Sequence, residues 1–270
     1  MTPPPSPLER LHFTSDSPVK GLAVAERRVP NPEATVICVH GGLDRGGSFA
    51  RLVRRLETFD VVAYDRRGYQ GSREVTPLGF QEHVEDLFAL VEREATNAPV
   101  MVFGHSFGGV VAMAAGTRES TSIQLIVAYE SPVPWILQHQ HPRPTPSAHA
   151  KSEAEAFFKR MVSVSAWNRL SEQERESRRL DGPALLSDLG ALRNDVALFD
   201  LVQLTTPFTY VFGDGNRVEH YCALSEALVK VNHAIKTVRL SQAGHDAHIR
   251  NPDRLADVIR EQWALTCASV

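Results

Sequence analysis

The sequence predicts an α/β fold in which a mainly parallel, eight-stranded sheet carries helices on both of its faces. Two observations lead to this prediction. Short apolar runs rich in valine and isoleucine alternate along the chain with segments whose apolar residues recur at helical spacing. Several of these runs are apolar throughout, which is typical of strands that a parallel sheet buries on both sides. Strands that alternate with helices favour parallel neighbours joined by crossover connections.

The apolar runs give the positions of the strands in chain order. We predict strands at residues 11–14, 22–25, 34–39, 61–64, 100–103, 123–129, 208–212 and 235–240. Apolar residues at intervals of three and four predict helices at residues 49–57, 78–94, 221–229 and 252–265, and a further helix after residue 106. Ser48 is the expected N-cap of the first helix, because a serine side chain can accept a hydrogen bond from the first free amides.

The alternation stops between residues 131 and 200, where the sequence contains no convincing buried strand. A stretch rich in proline and histidine at 139–146 comes first, and helical patterns follow at 154–164, 171–180 and 183–199. We therefore predict a core formed by residues 10–130 and 201–270, interrupted by a helical insertion at 131–200. Residues 1–9 are rich in proline and are expected to form an extended or disordered lead.

Composition restricts the class of protein. A chain of 270 residues with 43% hydrophobic and 23% charged residues fits one soluble α/β domain with a sizeable core. A net charge of −3 gives no reason to expect a nucleic acid or an anionic membrane surface as a partner. Cys38, Cys222 and Cys267 are odd in number and widely spaced, so we expect no disulfide framework and predict a cytoplasmic protein. We recognise no secretory signal and no apolar run long enough to span a bilayer.

The most informative stretch is Gly104-His105-Ser106-Phe107-Gly108. It fits the pattern Gly-x-Ser-x-Gly, and it lies between a buried strand and a helix rich in small residues. This context is typical of a nucleophile elbow, a sharp turn that exposes a serine hydroxyl above the end of the sheet. The glycines are expected because the turn is strained and neighbouring segments crowd its backbone. Amides at the start of the following helix favour negative charge at the same place.

Two further loops are predicted at the same edge of the sheet. The first, His40-Gly41-Gly42, follows the strand at 34–39, and its glycine amides can approach a substrate oxygen closely. The second, at residues 242–246, lies between the last strand and the last helix and contains His245. Because ligands bind beyond the carboxyl ends of the strands in such sheets, we expect both loops to lie beside Ser106.

Together these segments resemble the α/β-hydrolase family over nearly the whole chain, from about residue 10 to 266. The order of serine, acid and late histidine is similar, as are the elbow and the loop that begins with His40. Residues 65–72, Asp-Arg-Arg-Gly-Tyr-Gln-Gly-Ser, are similar to the family's Asp-x-Arg-Gly-x-Gly-x-Ser turn, with Gln70 where glycine is usual. The resemblance implies the eight-stranded α/β-hydrolase sheet, with the helical insertion in the place of the family's cap.

The resemblance also implies roles for individual residues. Ser106 corresponds to the nucleophile and His245 to the general base. The oxyanion donors would be the backbone amides of Phe107 and of Gly42, or of its neighbour Leu43. A serine hydroxyl is a poor nucleophile until a base takes its proton. A histidine can take that proton and later return it to the leaving group near neutral pH.

The acid of this triad stays open between three residues. The family usually carries it as Gly-x-x-Asp after the strand that follows the cap, and here Asn216 occupies that position. Asparagine can orient an imidazole but cannot offset the charge of an imidazolium. Asp214 lies in the same loop, two residues earlier. Glu130 ends the strand at 123–129, where some family members carry the acid, and it is our first choice, with Asp214 as the alternative.

The other polar residues of these loops are expected to have structural roles. His40 braces its loop, and the side chain of His105 points away from the mouth of the site. The Arg66-Arg67 pair anchors the turn that contains it through hydrogen bonds. Asp246 and His248 are expected to face solvent.

These residues predict a cofactor-independent serine hydrolase that cleaves a small or medium-sized ester, lactone or thioester through an acyl-enzyme on Ser106. The same triad could instead serve C–C bond hydrolysis, perhydrolysis, lyase or acyl-transfer chemistry, or the fold could bind a small ligand without catalysis. The expected partner is a small-molecule acyl substrate, with no nucleic acid and no membrane, and a homo-oligomer stays open. No metal is expected, because His139, His141 and His149 are irregularly spaced and lack nearby cysteines or paired carboxylates.

Overall fold

An eight-stranded sheet organises the chain. The computed structural model describes residues 11–119, 121–137, 149–193, 196–215 and 217–268. Its strands are β1 (His12–Thr14), β2 (Val24–Arg27), β3 (Thr35–Val39), β4 (Asp60–Tyr64), β5 (Val100–His105), β6 (Ile123–Tyr129), β7 (Phe208–Gly213) and β8 (Lys236–Leu240). Their order across the sheet is β1-β2-β4-β3-β5-β6-β7-β8. Within this described sheet the pairs β1–β2 and β2–β4 are antiparallel and the other neighbours are parallel, so the predicted fold class is confirmed.

Helices cover both faces of the sheet. They are α1 (Ala50–Val53), α2 (Phe80–Ala95), α3 (Phe107–Gly116), α4 (Ala150–Met161), α5 (Val164–Arg169), α6 (Glu172–Leu180), α7 (Gly182–Arg193), α8 (Val218–Val231), α9 (Ala247–Arg250) and α10 (Pro252–Cys267). Along β3, Ile37 and Val39 belong to the apolar core under α2, α3 and α8, whereas Val36 and Cys38 belong to the core under α1 and α10. Successive side chains of a strand point to opposite faces, so a run that is apolar throughout needs two cores.

Two local predictions are wrong for identifiable reasons. The helix expected at 49–57 is a 3₁₀ turn at Gly46–Phe49 followed by the single turn of α1. Ser48 is therefore not an N-cap; its hydroxyl donates to Asp44 Oδ2 at 3.0 Å and to Arg45 O at 2.8 Å. β2 begins two residues later than expected and ends on Arg27, whose buried guanidinium donates to the carbonyls of Leu56 and Phe59. A charged residue can thus lie in a buried strand end when backbone oxygens surround it.

The described residues between β6 and β7 form the helices α4, α5, α6 and α7, and no strand. Ala154, Phe158, Trp167 and Leu185 from these helices form a small apolar core with Leu43 from the loop after β3. The helical segment therefore packs directly onto the carboxyl edge of the sheet, where the site was expected. The proline- and histidine-rich stretch, including His139 and His141, and the predicted lead at 1–9 lie outside the described residues.

Two further features bear on the class of protein. None of the described helices combines the length and the apolar character that crossing a bilayer requires. The three cysteines are free; Cys38 is buried in β3, and Cys267 is exposed at the end of α10.

Candidate active site

Ser106 occupies a strained turn between β5 and α3. Its φ of +52° and ψ of −124° lie in a region that residues with a side chain rarely adopt. The surrounding glycines are required sterically: a Cβ on Gly104 would lie 2.4 Å from Gly109 Cα, and one on Gly108 would lie 2.1 Å from the carbonyl oxygen of Val39. The strand, sharp turn and helix that the sequence predicted around Gly-x-Ser-x-Gly are present.

The loop after β3 passes directly over the serine. A Cβ on Gly41 would lie 2.9 Å from Ser106 Cβ, so only glycine allows this approach. Gly42 and Leu43 follow, and both line a pocket that also contains Ser106. Phe107 is the first residue of α3, so its amide is one of those that a helix leaves without an internal acceptor. The predicted oxyanion donors thus flank Ser106 on two sides.

Arg66 holds this loop in place. Its side chain is fully buried and donates from Nε to His40 O at 2.8 Å and from Nη2 to Gly41 O at 3.2 Å. It also forms a bidentate ion pair with Asp188 of α7, at 2.6 and 3.2 Å. The expected loop-anchoring role of Arg66 is therefore confirmed, and its anchor extends to the helical segment. Burial alone would raise the pKa of Asp188, but Arg66 and His83 hold that pKa well below its ordinary value.

His40 braces the same loop in its neutral form. Its Nδ1 donates to Gly41 O at 2.7 Å, and its Nε2 accepts from the amide of Arg66 at 2.8 Å. One ring nitrogen must therefore carry a proton and the other must not. Burial, reinforced by the charge of Arg66, lowers the pKa of His40 to about 3.

His245 and Glu130 form a partly buried pair at the rim of the sheet. His245 lies between β8 and α9, and its Nδ1 is 2.7 Å from Glu130 Oε2. Glu130 directly follows β6, is 3% exposed, and accepts a hydrogen bond from the amide of Gly213 at Oε1, 3.0 Å away. Its φ of +46° directs the side chain of this non-glycine residue toward the neighbouring loop. One carboxylate oxygen is thus fixed by backbone and the other faces the imidazole.

Asp214, the alternative acid, points elsewhere. Its Oδ1 accepts from the amide of Gln242 at 2.6 Å, and its Oδ2 lies 3.3 Å from Arg239 Nη2. Neither contact involves His245. The third candidate, Asn216, lies outside the described residues. Of the two described carboxylates that the sequence left open, only Glu130 lies against the imidazole.

Ser106 and His245, which are 139 residues apart in the chain by their numbers, line one pocket of about 580 Å³. Among the hydrogen bonds of the described residues, none joins Ser106 Oγ directly to His245 Nε2. Such bonds are often long in unliganded sites and tighten when substrate binds.

The sequence did not indicate a cluster formed by Asp44, His105 and His248. His105 Nε2 lies 2.8 Å from the carbonyl oxygen of His245, so a proton on Nε2 tethers the loop that carries the base. His248 is 2% exposed, so the expectation that it faces solvent is wrong; its Nε2 lies 3.5 Å from Asp44 Oδ2. The cluster joins three distant segments, which explains why no local motif revealed it.

The same three residues are the described group that could hold a metal ion, since their donor atoms all lie within 4.8 Å of one another. The sequence analysis considered His139, His141 and His149 as metal ligands, and none of these belongs to this group. Burial and the neighbouring His248 lower the pKa of His105, which favours its neutral form. Burial alone would raise the pKa of Asp44, but His248, His40 and His105 together hold it well below its ordinary value.

The helical segment forms the opposite wall of the pocket. Phe157, Phe158 and Met161 from α4 supply apolar surface, and Arg169 and Arg178 add positive charge. A wall of this kind can accept an organic acyl group, because ligand pockets combine apolar surface with a few placed polar groups.

Comparisons with known proteins agree with this geometry. Residues 36–258 match the model of the alpha/beta hydrolase family. The chain belongs to the alpha/beta hydrolase family. Similar curated proteins include the lipase LipV of Mycobacterium tuberculosis, 31% identical over 108 residues, which are 40% of this chain and 41% of that protein. The monoacylglycerol lipase of Mycolicibacterium smegmatis is 30% identical over 95 residues, covering 33% of this chain and 34% of that protein.

These alignments span less than half the length of the curated relatives that they match. Solved structures are similar over nearly the whole chain. A putative lipase from Acinetobacter baumannii superposes with a TM-score of 0.72 at 14% identity, covering 97% of this chain and 94% of that one. An N-formylmaleamic acid deformylase from Pseudomonas putida gives 0.68 at 19% identity, covering 92% and 100%. At such identities the likeness is one of fold.

Proposed function

We propose that this member of the alpha/beta hydrolase family is a serine hydrolase that cleaves a small or medium-sized ester, lactone or thioester. The observation that carries the proposal is the partly buried 2.7 Å contact between His245 Nδ1 and Glu130 Oε2 at the pocket that contains Ser106. With Nδ1 engaged, Nε2 is the atom left to accept the serine proton. A histidine oriented by a carboxylate beside a strained serine is the arrangement that acyl transfer requires.

The reaction follows from these positions. Ser106 Oγ attacks the substrate carbonyl while His245 takes the hydroxyl proton, and Glu130 stabilises the imidazolium that forms. The amides of Phe107 and of Gly42 donate to the oxyanion of the tetrahedral intermediate, and each such donor typically contributes about 3 kcal/mol. His245 then gives its proton to the departing alcohol, lactone oxygen or thiol. Water, deprotonated by the same imidazole, releases the acid and restores Ser106.

Gly42 is the better candidate than Leu43 for the second oxyanion donor. Leu43 has a φ of +58°, its carbonyl accepts a hydrogen bond from Arg178, and its side chain belongs to the core of the helical segment. Gly42 is only half-buried and lines the pocket. The helices of the 131–200 segment would then act as the cap that selects the substrate, because Leu185 and Phe157 approach Gly42 closely.

A covalent probe tests the proposal. A fluorophosphonate should label the folded protein at one serine, and an activated acyl ester should give a burst of product. Ser106→Ala should abolish labelling and lower kcat on the order of 10⁶-fold, as loss of a serine nucleophile does. Ser163→Ala is the matched control, because Ser163 lines the same pocket and its hydroxyl caps α5, so labelling should survive.

Two results would count against the proposal. Folded protein that the probe does not label would favour a fold used only to bind a ligand. Labelling at Ser106 without turnover of any ester, lactone or thioester would indicate that the triad catalyses carbon–carbon bond hydrolysis or another reaction instead. A panel of β-diketones and a perhydrolysis assay with hydrogen peroxide separates these reactions.

A further inference from the structure

The pocket above Ser106 contains a guanidinium to which the described residues offer no acidic partner. Arg178, on α6, lines the pocket together with Gly42 and Ser106. Its Nη1 donates to Leu43 O at 3.3 Å, a long hydrogen bond, and its Nε is buried without a partner. Within the described part of the chain, no carboxylate forms an ion pair with Arg178.

The neighbouring arginines of the same helix are paired. Arg175 Nη1 lies 3.4 Å from Glu172 Oε2. Arg179 lies 2.7 Å from Glu172 Oε1 and 2.9 Å from Glu155 Oε2. The helix therefore has carboxylates within reach on its outer side, and only its pocket-facing arginine is left unpaired among these three.

The pocket's own acids form no ion pair with Arg178, although the charge of Asp44 acts on it and raises its pKa. Asp44 accepts a hydrogen bond from Ser48 and lies against His248. Asp246 lies 2.5 Å from Arg250 Nε. Each of these carboxylates already has a cationic or hydroxyl partner and neither forms an ion pair with Arg178, so the anion of a ligand can still bind directly to this guanidinium.

Arg178 is partly buried and remains charged at neutral pH. Its guanidinium carbon lies 4.8 Å from the centre of the Phe158 ring. Burial, together with the charge of Arg45, lowers the pKa of Arg178 to about 10. A charge removed from water without a partner is unfavourable, and proteins normally pair it.

The helix that carries Arg178 is anchored at both of its ends. A capping box between Ser171 and Glu174 starts α6. Asp181, directly after the helix, accepts from Arg73 at 2.6 Å and from the amide of Gln70 at 3.1 Å. A binding group held in this way costs little entropy when the ligand binds.

We propose that Arg178 binds a carboxylate on the acyl part of the substrate, so that the favoured substrates are half-esters or half-thioesters of short dicarboxylic acids. This inference rests on the proposed hydrolase function. The planar fork of a guanidinium matches a carboxylate in a bidentate manner. Because Nη1 contacts the carbonyl of Leu43, next to Gly42, the reacting carbonyl and the bound carboxylate are separated by a short chain. Phe157 and Phe158 supply the apolar surface along it.

The wild-type protein provides the first test. Monomethyl fumarate and methyl crotonate differ by a carboxylate in place of a methyl group, and monomethyl glutarate with methyl pentanoate extends the comparison to a longer chain. We expect kcat/KM, measured by acid release, to favour the anionic ester of at least one pair about 10- to 100-fold, the range for a hydrogen bond to a charged group. Equal rates in both pairs, or preference for the neutral esters, would overturn the inference.

Variants assign the preference to Arg178. Arg178→Gln should raise KM for the anionic ester, so that the ratio of kcat/KM for the anionic ester to that for the neutral ester falls toward one. Arg178→Lys should retain part of this preference. Arg179→Gln is the matched control from the same helix and should keep the full ratio. If Arg178→Gln lowers kcat/KM equally for the anionic and the neutral ester, Arg178 has a structural role and the inference fails.

The inference and the proposed function fail in different ways. If the wild type hydrolyses both esters equally and the fluorophosphonate labels Ser106, the hydrolase proposal stands and only the carboxylate site is wrong. If neither ester is hydrolysed and Ser106 is not labelled, both are wrong.

Discussion

The two walls of the pocket are built in different ways. On the sheet side, Arg66 and Glu130 are almost completely buried, and every polar contact of their side chains named above has good hydrogen-bond geometry. On the helical side, Met161 is 38% and Val162 is 55% exposed, although both line the pocket. We infer that the two sides have different roles. The rigid sheet side holds the reacting groups within the tolerance that catalysis needs, and the more exposed helical side selects the substrate.

The largest effect is expected on the sheet side, from substitution of Glu130. Glu130→Ala should lower kcat about 10⁴-fold, because removing the partner of a catalytic imidazole leaves it in the wrong tautomer and unable to stabilise its charge. Asp214→Ala is the matched control, a carboxylate from the adjacent loop that contacts Gln242 and Arg239 rather than His245. Its kcat should stay within about threefold of wild type, at a stability cost of about 1 kcal/mol for the lost hydrogen bond.

Glu130→Gln separates charge from shape at the same position. The amide keeps the size of the side chain and an acceptor for the Gly213 amide, but it cannot offset an imidazolium. We expect Glu130→Gln to lower kcat nearly as much as Glu130→Ala does, while the free energy of unfolding stays nearly unchanged. A Glu130→Ala enzyme as active as wild type, with Asp214→Ala inactive, would reverse our assignment.

The next-largest effect is expected at the ion pair that connects the helical wall to the sheet wall. Asp188 of α7 pairs with Arg66 and accepts from the hydroxyl of Tyr69 at 2.6 Å. Asp188→Ala should lower the free energy of unfolding by about 3–5 kcal/mol, because it leaves a fully buried guanidinium uncompensated. Equilibrium denaturation measures this value.

Glu155→Ala provides the comparison from the helical wall. Glu155 also pairs with two cations, Lys159 and Arg179, but it is partly exposed, so its loss should cost less than about 1 kcal/mol. Equal costs for the two variants would show that the sheet side is no more tightly built than the helical side.

The sheet side was largely predictable from the sequence, because its chemistry follows from local patterns. A valine-rich strand, two flanking glycines and a helix of small residues require the turn at Ser106, and the strand order then brings the loops of His40 and His245 to one edge. Glu130 could be named as the first choice because it directly follows an apolar run that had to be a strand.

The remaining features depend on contacts that no local pattern encodes. His248 is buried against Asp44, from the loop after β3, and against His105, the last residue of β5. The pairing of Arg179 and the isolation of Arg178 depend on where α6 lies over the sheet, although both residues look alike in the sequence. The helix predicted at 49–57 is preceded by a 3₁₀ turn whose first residue, Gly46, donates its amide to Asp65 at 2.8 Å, a contact between distant segments.

The last effect that we predict is a pH dependence of stability that originates on the sheet side. His40 is neutral in the folded protein because burial and Arg66 lower its pKa to about 3, whereas the unfolded chain takes up a proton near the ordinary pKa of about 6.5. Below that pH the unfolded state therefore binds more protons than the folded state. From His40 alone, the free energy of unfolding should fall by up to about 1.4 kcal/mol for each pH unit as the pH drops from roughly 6.5 toward 3.

His83 and His105, whose pKa values burial also lowers, act in the same direction, so the measured slope should exceed that of one histidine. Denaturation curves at a series of pH values test this, with His233→Asn as the control, since an exposed histidine should leave the slope unchanged. A flat profile across this window would mean that these imidazoles become protonated without unfolding. The fixed tautomer of His40, and with it the rigidity that we assign to the sheet side, would then be wrong, because a protonated Nε2 cannot accept from the Arg66 amide.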